Sequence, residues 1–241
     1  MQKAIRQFIP NGLTLANLMA GAAGILLIIQ DMPHWAFLCL LIGLLADFFD
    51  GFTAKMLKVS SPLGVQLDSL ADLITFGLMP VVLYFYLSTE TGASSTLAGA
   101  AVLFFASCAA YRLGRFNVAD QPGPDFSGLP TPASGLTVMA ICWNISRPET
   151  INWLEIQPGV ITSVLILVLG ILMVSNIKFL SLKFTNYRFR ENILKYAILG
   201  GSLILIIALR LDAVLPIVIW YFALSAASNF VPSSKPENPK E

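Results

Sequence analysis

Two pairs of aspartates lie close together in an otherwise apolar part of the sequence. Asp47 and Asp50 are spaced i, i+3, and Asp68 and Asp72 are spaced i, i+4. Either spacing places the two carboxylates of a pair on one face of a helix. An Asp deep in a membrane helix costs about 2.5–3.5 kcal/mol, and four neighbouring carboxylates also repel one another. We therefore expect a cationic partner, and hard divalent ions such as Mg²⁺ or Mn²⁺ suit carboxylate ligands.

Small residues accompany the acidic pairs at positions where a ligand could come close. Gly51 and Ala54 follow the first pair, and Gly64 precedes the second. A missing or short side chain lets a backbone or a bulky ligand approach a helix. Lys55 and Lys58 add positive charge after the first pair, where a phosphate could be held.

The whole stretch resembles a known signature. The pattern D-x2-D-G-x2-A, followed by G-x3-D-x3-D, spans residues 47–72 and is similar to that of the CDP-alcohol phosphotransferase family. The family usually has Arg after the Ala, whereas this chain has Lys55. The ammonium group of lysine is a point charge and cannot form the two parallel hydrogen bonds that a guanidinium group makes to a phosphate. The resemblance implies a homodimer in which all four aspartates hold two Mg²⁺ or Mn²⁺ ions and Asp72 is the general base. It implies that the cytidine diphosphate site includes Gly51, Ala54, Lys55 and Gly64.

Composition indicates an integral membrane protein, because 56% of the 241 residues are hydrophobic and only 12% are charged. Apolar segments separated by polar links predict an all-α, polytopic membrane helix bundle of about eight transmembrane helices. We expect one transmembrane catalytic domain, residues 1–230, and a disordered cytoplasmic tail, residues 231–241. An N-terminal interfacial helix is predicted over residues 2–9, ended by Pro10-Asn11-Gly12. The spans are expected at about 13–29, 35–55, 64–87, 96–116, 132–145, 158–176, 193–209 and 213–228.

The distribution of positive charge predicts the orientation in the membrane. If the N-terminus is cytoplasmic, all but two of the 15 Lys and Arg residues fall on the inner side, the exceptions being Arg147 and Arg210. This bias predicts an inner-membrane protein with both termini in the cytoplasm. At 1.5 Å per residue, both acidic pairs then lie about 6–12 Å inside the cytoplasmic end of their helices. We expect a polar active-site cavity that faces the cytoplasm and is reachable from membrane lipid.

A polar stripe precedes the acidic stretch in the first apolar span. Asn11, Thr14 and Asn17 recur at i, i+3 and i+6, which aligns them on one side of a helix. Polar stripes are rare in membrane spans, so Asn11 and Thr14 are candidate contacts for the nucleotide. Helix capping by Asn11, together with hydrogen bonds between helices, explains the stripe equally well. The sequence leaves both interpretations open.

Two further segments bear on which alcohol acts as the acceptor. Arg112, Arg115 and Asn117 close the fourth span, and a Pro- and Gly-rich segment, residues 126–133, leads into the fifth. Together they look like segments of membrane-embedded phosphatidylserine synthases (CDP-diacylglycerol–serine O-phosphatidyltransferases). The resemblance implies that the hydroxyl of L-serine attacks the β-phosphorus of CDP-diacylglycerol, giving phosphatidylserine and CMP. The arginines and Asn117 could bind the serine carboxylate or a phosphate, or the arginines could simply anchor the helix at the interface.

Other functions remain as alternatives. The same chemistry could use glycerol phosphate or inositol phosphate as acceptor, and four aspartates could also form the ion site of a cation transporter. A scaffold gives no reason for the 47–72 pattern. The basic and aromatic stretch over 177–192 favours anionic lipid head groups, and nothing supports nucleic-acid binding. Three scattered cysteines and one His argue against a thiolate or imidazole metal site.

Overall fold

The computed structural model describes residues 2–59, 61–118, 128–147, 158–177 and 192–228, the side chains of 2–6, 211 and 226–228 excepted. Within these ranges the chain is helical and contains no strand, which confirms the predicted all-α class. The predicted tail lies outside the described residues, and so do Phe126 and all but the two end residues of the basic and aromatic stretch.

The helices follow the predicted apolar segments closely. The helices are α1 Gln2–Ile29, α2 His34–Met56, α3 Pro62–Asp72, α4 Met79–Glu90, α5 Ser95–Asn117, α6 Thr131–Ile145, α7 Val160–Val174, α8 Ile193–Leu209 and α9 Val214–Ser228. A π-helical turn, Leu73–Leu78, joins α3 to α4, and a 3₁₀ turn, Arg210–Ala213, joins α8 to α9.

Four helical segments in the described part of the chain are long and apolar enough to cross a membrane. They are Gln7–Ile29, His34–Met56, Pro62–Glu90 and Ser95–Asn117. A segment of 23 residues, such as His34–Met56, reaches about 35 Å at 1.5 Å per residue, which exceeds the hydrocarbon core. The remaining apolar helices are shorter, so a membrane helix bundle is supported while eight crossings stay a prediction.

The predicted break after residue 9 is wrong, because α1 runs without interruption from Gln2 to Ile29 with Pro10 inside it. Proline in a helix removes the hydrogen bond from its own nitrogen and crowds the preceding turn. The rest of a long helix, packed against its neighbours, outweighs one missing bond. Whether the first turns lie at the membrane interface stays a prediction.

The chain divides into two compact units, Met1–Ile177 and Lys178–Glu241. In the first unit, α1 packs along α2 and also contacts α3 and α4, while α6 packs against α4 and the π turn. In the second unit, α8 and α9 pair, and the Trp220 indole donates to the Ala197 carbonyl at 3.1 Å. The single domain over residues 1–230 stays a prediction.

Glycines allow two helices to approach the π turn closely. A Cβ on Gly21 of α1 would lie 2.7 Å from Thr75 Cα, and one on Gly135 of α6 would lie 2.9 Å from Phe76 Cα. No side chain fits at such distances from a backbone, so only glycine permits this packing. Because the turn begins directly after Asp72, the packing fixes the position of that carboxyl group.

Candidate active site

The two predicted acidic pairs meet. Asp47 and Asp50 of α2 and Asp68 of α3 each offer a carboxylate oxygen, and these oxygens all lie within 4.8 Å of one another. Asp50 precedes the end of α2 at Met56 by six residues, and Asp68 follows the start of α3 at Pro62 by six. Each is therefore about 9 Å from the end of its helix. This equal depth brings carboxylates from two separate helices to one place.

Asp72, the last residue of α3, lies beside this group of three. Its charge is within interaction range of the other three aspartates and of Arg112. The residue is only 9% exposed, and its Oδ1 has no hydrogen-bond partner among the described residues. A buried polar atom without a partner is costly, so the site favours a ligand or proton at this oxygen.

The donor set fits a hard divalent cation. Ions such as Mg²⁺ and Mn²⁺ take oxygen ligands, and carboxylates are the preferred protein donors. Three carboxylate oxygens within 4.8 Å provide such ligands, and the unpaired Asp72 Oδ1 adds a fourth candidate. A cation would also relieve the mutual repulsion of four acidic side chains in an apolar setting.

A cleft of about 150 Å³ opens beside the carboxylates. Five of the six residues predicted to bind the nucleotide line it, whereas Lys55 is exposed and does not. The cleft is lined by Gln7, Pro10, Asn11, Thr14, Asp50, Gly51, Ala54, Val59, Ser61, Gly64, Val65 and Asp68. It therefore joins the polar stripe of α1 to both acidic helices.

The members of the polar stripe have different surroundings. The Thr14 hydroxyl lies 2.6 Å from Asp50 Oδ2, a short hydrogen bond to a charged acceptor. The Asn11 Oδ1 would lie 3.0 Å from a Cβ on Gly64, so α1 and α3 touch there. Asn17 is buried deeper, and no hydrogen bond reaches its side chain within the described residues. Hydrogen bonding between helices thus accounts for Thr14, and both Asn11 and Thr14 still face the cleft.

The start of α3 has a capping device that sequence analysis missed. The Ser61 hydroxyl accepts a hydrogen bond from the Gly64 nitrogen at 3.0 Å, and Pro62 occupies the first turn. Serine before a proline is a common signature of a helix start, so the signal was present in the sequence. The cap fixes where α3 begins and hence the depth of Asp68.

The three predicted acceptor-binding residues have different hydrogen-bond partners. Arg112 donates through Nη1 to the Thr131 hydroxyl at 3.1 Å, and its Nε is buried with no partner in the described ranges. Arg115 is exposed and donates through Nη2 to Asn176 at 3.0 Å, beyond the end of α7. Asn117 exchanges hydrogen bonds with Ser69 of α3. Only Arg112 interacts with Asp72.

The segment before α6 forms a tight turn that places the partner of Arg112. Gly128 has a positive φ of 83°, and its nitrogen donates to the Ile177 carbonyl at 2.9 Å. The next nitrogen, of Leu129, donates to the Leu172 carbonyl at 3.0 Å. Only glycine adopts this backbone readily and leaves room for the approach. The turn is thus fastened to α7 directly before Thr131. It lies in the Pro- and Gly-rich segment that the sequence analysis singled out, whereas Thr131 itself was given no role there.

Comparisons with known proteins agree with this arrangement. The chain matches the family model described as CDP-alcohol phosphatidyltransferase over residues 7–177, a range that contains every predicted site residue. Relatives named CDP-diacylglycerol–serine O-phosphatidyltransferase occur in Bacillus subtilis (strain 168), Methanocaldococcus jannaschii and Helicobacter pylori (strain 26695).

The similarity to these relatives covers about 70% of the chain. The Bacillus protein is 31% identical over 172 residues, which are 71% of this chain and 89% of the relative. The Methanocaldococcus protein is 30% identical over 166 residues, 69% of this chain and 70% of the relative. The Helicobacter protein is 30% identical over 177 residues, 72% of each chain. The chain therefore belongs to the CDP-alcohol phosphatidyltransferase family and is an enzyme of the CDP-alcohol phosphotransferase class.

Proposed function

We propose that the enzyme transfers the phosphatidyl group of CDP-diacylglycerol to L-serine, giving phosphatidylserine and CMP. The observation that carries the proposal is the meeting of Asp47, Asp50 and Asp68 within 4.8 Å of one another, beside a cleft that α1 also lines. The three relatives whose names specify serine support this choice of acceptor.

The carboxylates are proposed to hold Mg²⁺ or Mn²⁺, two ions by the family resemblance. Bound divalent ions would offset the negative charge of the diphosphate and of the departing phosphate. Asp50 is held in place by its hydrogen bond from Thr14, and Asp68 by the capped start of α3. These fixed side chains would keep the ligand oxygens in position with little reorganisation during the reaction.

The cleft is proposed to receive the cytidine diphosphate. Gly51 leaves open space, since a Cβ built there would meet nothing within 4 Å. Asn11 offers both a donor and an acceptor at the cleft wall. Lys55 is exposed near the end of α2, so we propose for it a looser, charge-based contact with phosphate.

The reaction is a substitution at phosphorus. The serine hydroxyl oxygen forms a bond to the β-phosphorus, and the bond from that phosphorus to the bridging oxygen breaks. CMP departs with the bonding electron pair, and the hydroxyl proton passes to the Asp72 carboxylate. Asp72 suits this role because it is a buried carboxyl group that stands beside the other three carboxylates.

Arg112 is proposed to bind the carboxylate of serine. Its Nη1 is anchored on Thr131, while the buried Nε still has a hydrogen to donate. A guanidinium group can form two parallel hydrogen bonds to a carboxylate. Because Arg112 lies near Asp72, serine bound to Arg112 would have its hydroxyl near the proposed base. Arg115 and Asn117 are instead proposed to hold α5 against α7 and α3, because Arg115 donates to the Val174 carbonyl at 3.5 Å and Asn117 donates to Ser69.

The positive-charge bias of the sequence supports a cytoplasmic active site in the inner membrane, with both termini on that side. A homodimer rests on the family resemblance and is likewise proposed.

An assay across acceptors tests the assignment. Purified enzyme with CDP-diacylglycerol and Mn²⁺ is given L-serine, glycerol phosphate or inositol phosphate, and CMP and lipid products are measured. We expect CMP release and phosphatidylserine with serine, and little product with the two phosphorylated alcohols. Product from one of them but not from serine would overturn the acceptor, and absence of product with any acceptor, with ion flux into liposomes, would favour transport.

A further inference from the structure

One buried polar side chain has no role in the proposed chemistry. Asn17 of α1 is 0% exposed, and neither its Oδ1 nor its Nδ2 has a hydrogen-bond partner among the described residues. Burying an amide without partners is costly, because no hydrogen bond offsets the loss of its contacts with water. Asn17 does not line the cleft, so a direct contact with the nucleotide does not account for it.

The register of α1 and α2 places Asn17 at the level of the acidic group. The two helices are antiparallel neighbours, and the Thr14 hydroxyl bonds to Asp50. Asn17 follows Thr14 by three residues on α1, and Asp47 precedes Asp50 by three residues on α2. Because the helices run in opposite directions, Asn17 and Asp47 lie at the same level.

The π turn places Asn17 at the same level as Asp72. Thr75, which lies in that turn, donates its hydroxyl to the Asn17 carbonyl at 2.9 Å. A Cβ on Gly21 of α1 would lie 2.7 Å from Thr75 Cα, so in these parallel helices Asp72, three residues before Thr75, is level with Leu18, the neighbour of Asn17. Nearer the cytoplasmic end, Asn11 faces Gly64 in the same parallel register of α1 and α3. Asn17 is thus bounded by the elements that carry Asp47 and Asp72.

The orientation of the Asn17 amide leaves its donor available. Its Oδ1 lies toward Gly43 of α2, 3.0 Å from where a Cβ would stand. The Nδ2 lies on the other side of the amide. At the same level, Asp72 Oδ1 is a buried acceptor that also lacks a partner within the described ranges. An unpaired donor and an unpaired acceptor therefore occur at one depth of the bundle.

We propose that Asn17 is a positioning residue that donates its Nδ2–H to the Asp72 carboxylate once metal is bound, both before and after substrate enters. Hydrogen bonds at catalytic groups are often long in the free enzyme and tighten when the site is filled. The bond fixes the direction in which the second carboxylate oxygen faces the reacting hydroxyl. This inference rests on the proposed function, since it assigns to Asn17 the orientation of the proposed base.

The test compares Asn17→Leu, of similar size but unable to donate, with wild type. We expect kcat to fall about 10–100-fold and the Kd for Mn²⁺, measured without substrate, to rise by a similar factor. The KM values for serine and CDP-diacylglycerol should stay unchanged, because Asn17 touches neither. The thermal midpoint of metal-free protein should stay or rise, since an unpaired buried amide is removed. If Asn17 were only a buried residue without a role, kcat and Mn²⁺ affinity would be unaltered, and the proposal would be overturned.

Two further variants keep the test decisive. Asn17→Ala serves if the leucine variant does not fold, and Asn144→Ala is its matched control, because the Asn144 amide bonds within its own helix to Ala140. The control should leave kcat and Mn²⁺ affinity unchanged. In an Asp72→Asn background, Asn17→Leu should add no further loss of Mn²⁺ affinity. If Asp72→Asn binds Mn²⁺ like wild type, the proposed metal set fails; if it binds weakly but Asn17→Leu does not, the inference about Asn17 alone fails.

Discussion

Replacing Asp72 by Asn is expected to lower CMP release about 10²–10⁴-fold, the usual contribution of a positioned general base. The amide has nearly the shape of the carboxyl group but cannot accept the serine proton. Asp72 is buried and lies against the glycine-packed π turn, so a side chain of the same size should keep the fold. The measurement is CMP release at saturating serine and CDP-diacylglycerol, with the thermal midpoint recorded for each protein.

Asp31→Asn is the matched control, since it makes the same chemical change outside the site. Asp31 lies between α1 and α2 with a φ of 59°, a conformation that asparagine adopts readily. Its turnover should equal that of wild type. Undiminished turnover in Asp72→Asn would remove Asp72 from the catalytic role, whichever acceptor the enzyme uses.

Replacing Arg112 by Gln is expected to raise the KM for serine about 10–100-fold, because a hydrogen bond to a charged group contributes about 1.5–3 kcal/mol. The KM for CDP-diacylglycerol should change little. The physical reason is the position of Arg112, which is anchored on Thr131 and interacts with Asp72. Initial rates measured across serine concentrations at saturating lipid substrate give the constant.

Arg115→Gln is the paired control, because Arg115 is exposed and reaches Asn176 instead of the acidic group. It removes the same charge three residues further along the same helix and should leave the KM for serine unaltered. A larger effect on serine from Arg115→Gln than from Arg112→Gln would contradict the assignment. A change confined to the KM for CDP-diacylglycerol in Arg112→Gln would assign this arginine to the lipid phosphate.

The sequence predicts the helices and the acidic group well, for identifiable reasons. Long apolar runs with polar links fix where helices begin and end, because the hydrocarbon core sets their length. The i, i+3 and i, i+4 spacings fix a shared face for each pair, and the position of each pair near a helix end fixes the depth. These local rules place Asp50 and Asp68 together without knowledge of side-chain packing.

Features that depend on packing between helices were not predictable in the same way. Pro10 forecasts a break, yet the packing of α1 against α2 and α3 keeps the helix continuous. Arg112 and Arg115 look equivalent in sequence. They have different hydrogen-bond partners, Thr131 and Asn176, because α6 packs near one arginine and the end of α7 near the other. The π turn after Asp72 has no local signature, because it depends on close contacts with glycines of other helices.

The measurement closest to the core of the account is calorimetric titration of CDP into the purified enzyme, with Mn²⁺ and with EDTA. The carboxylates of Asp47, Asp50 and Asp68 would repel a diphosphate unless cations stand between them. We therefore predict CDP binding with Mn²⁺, none in EDTA, and strong weakening in Asp68→Asn with Mn²⁺ present. Equal affinity for CDP in Mn²⁺ and in EDTA would contradict the claim that the aspartates bind the nucleotide through metal ions.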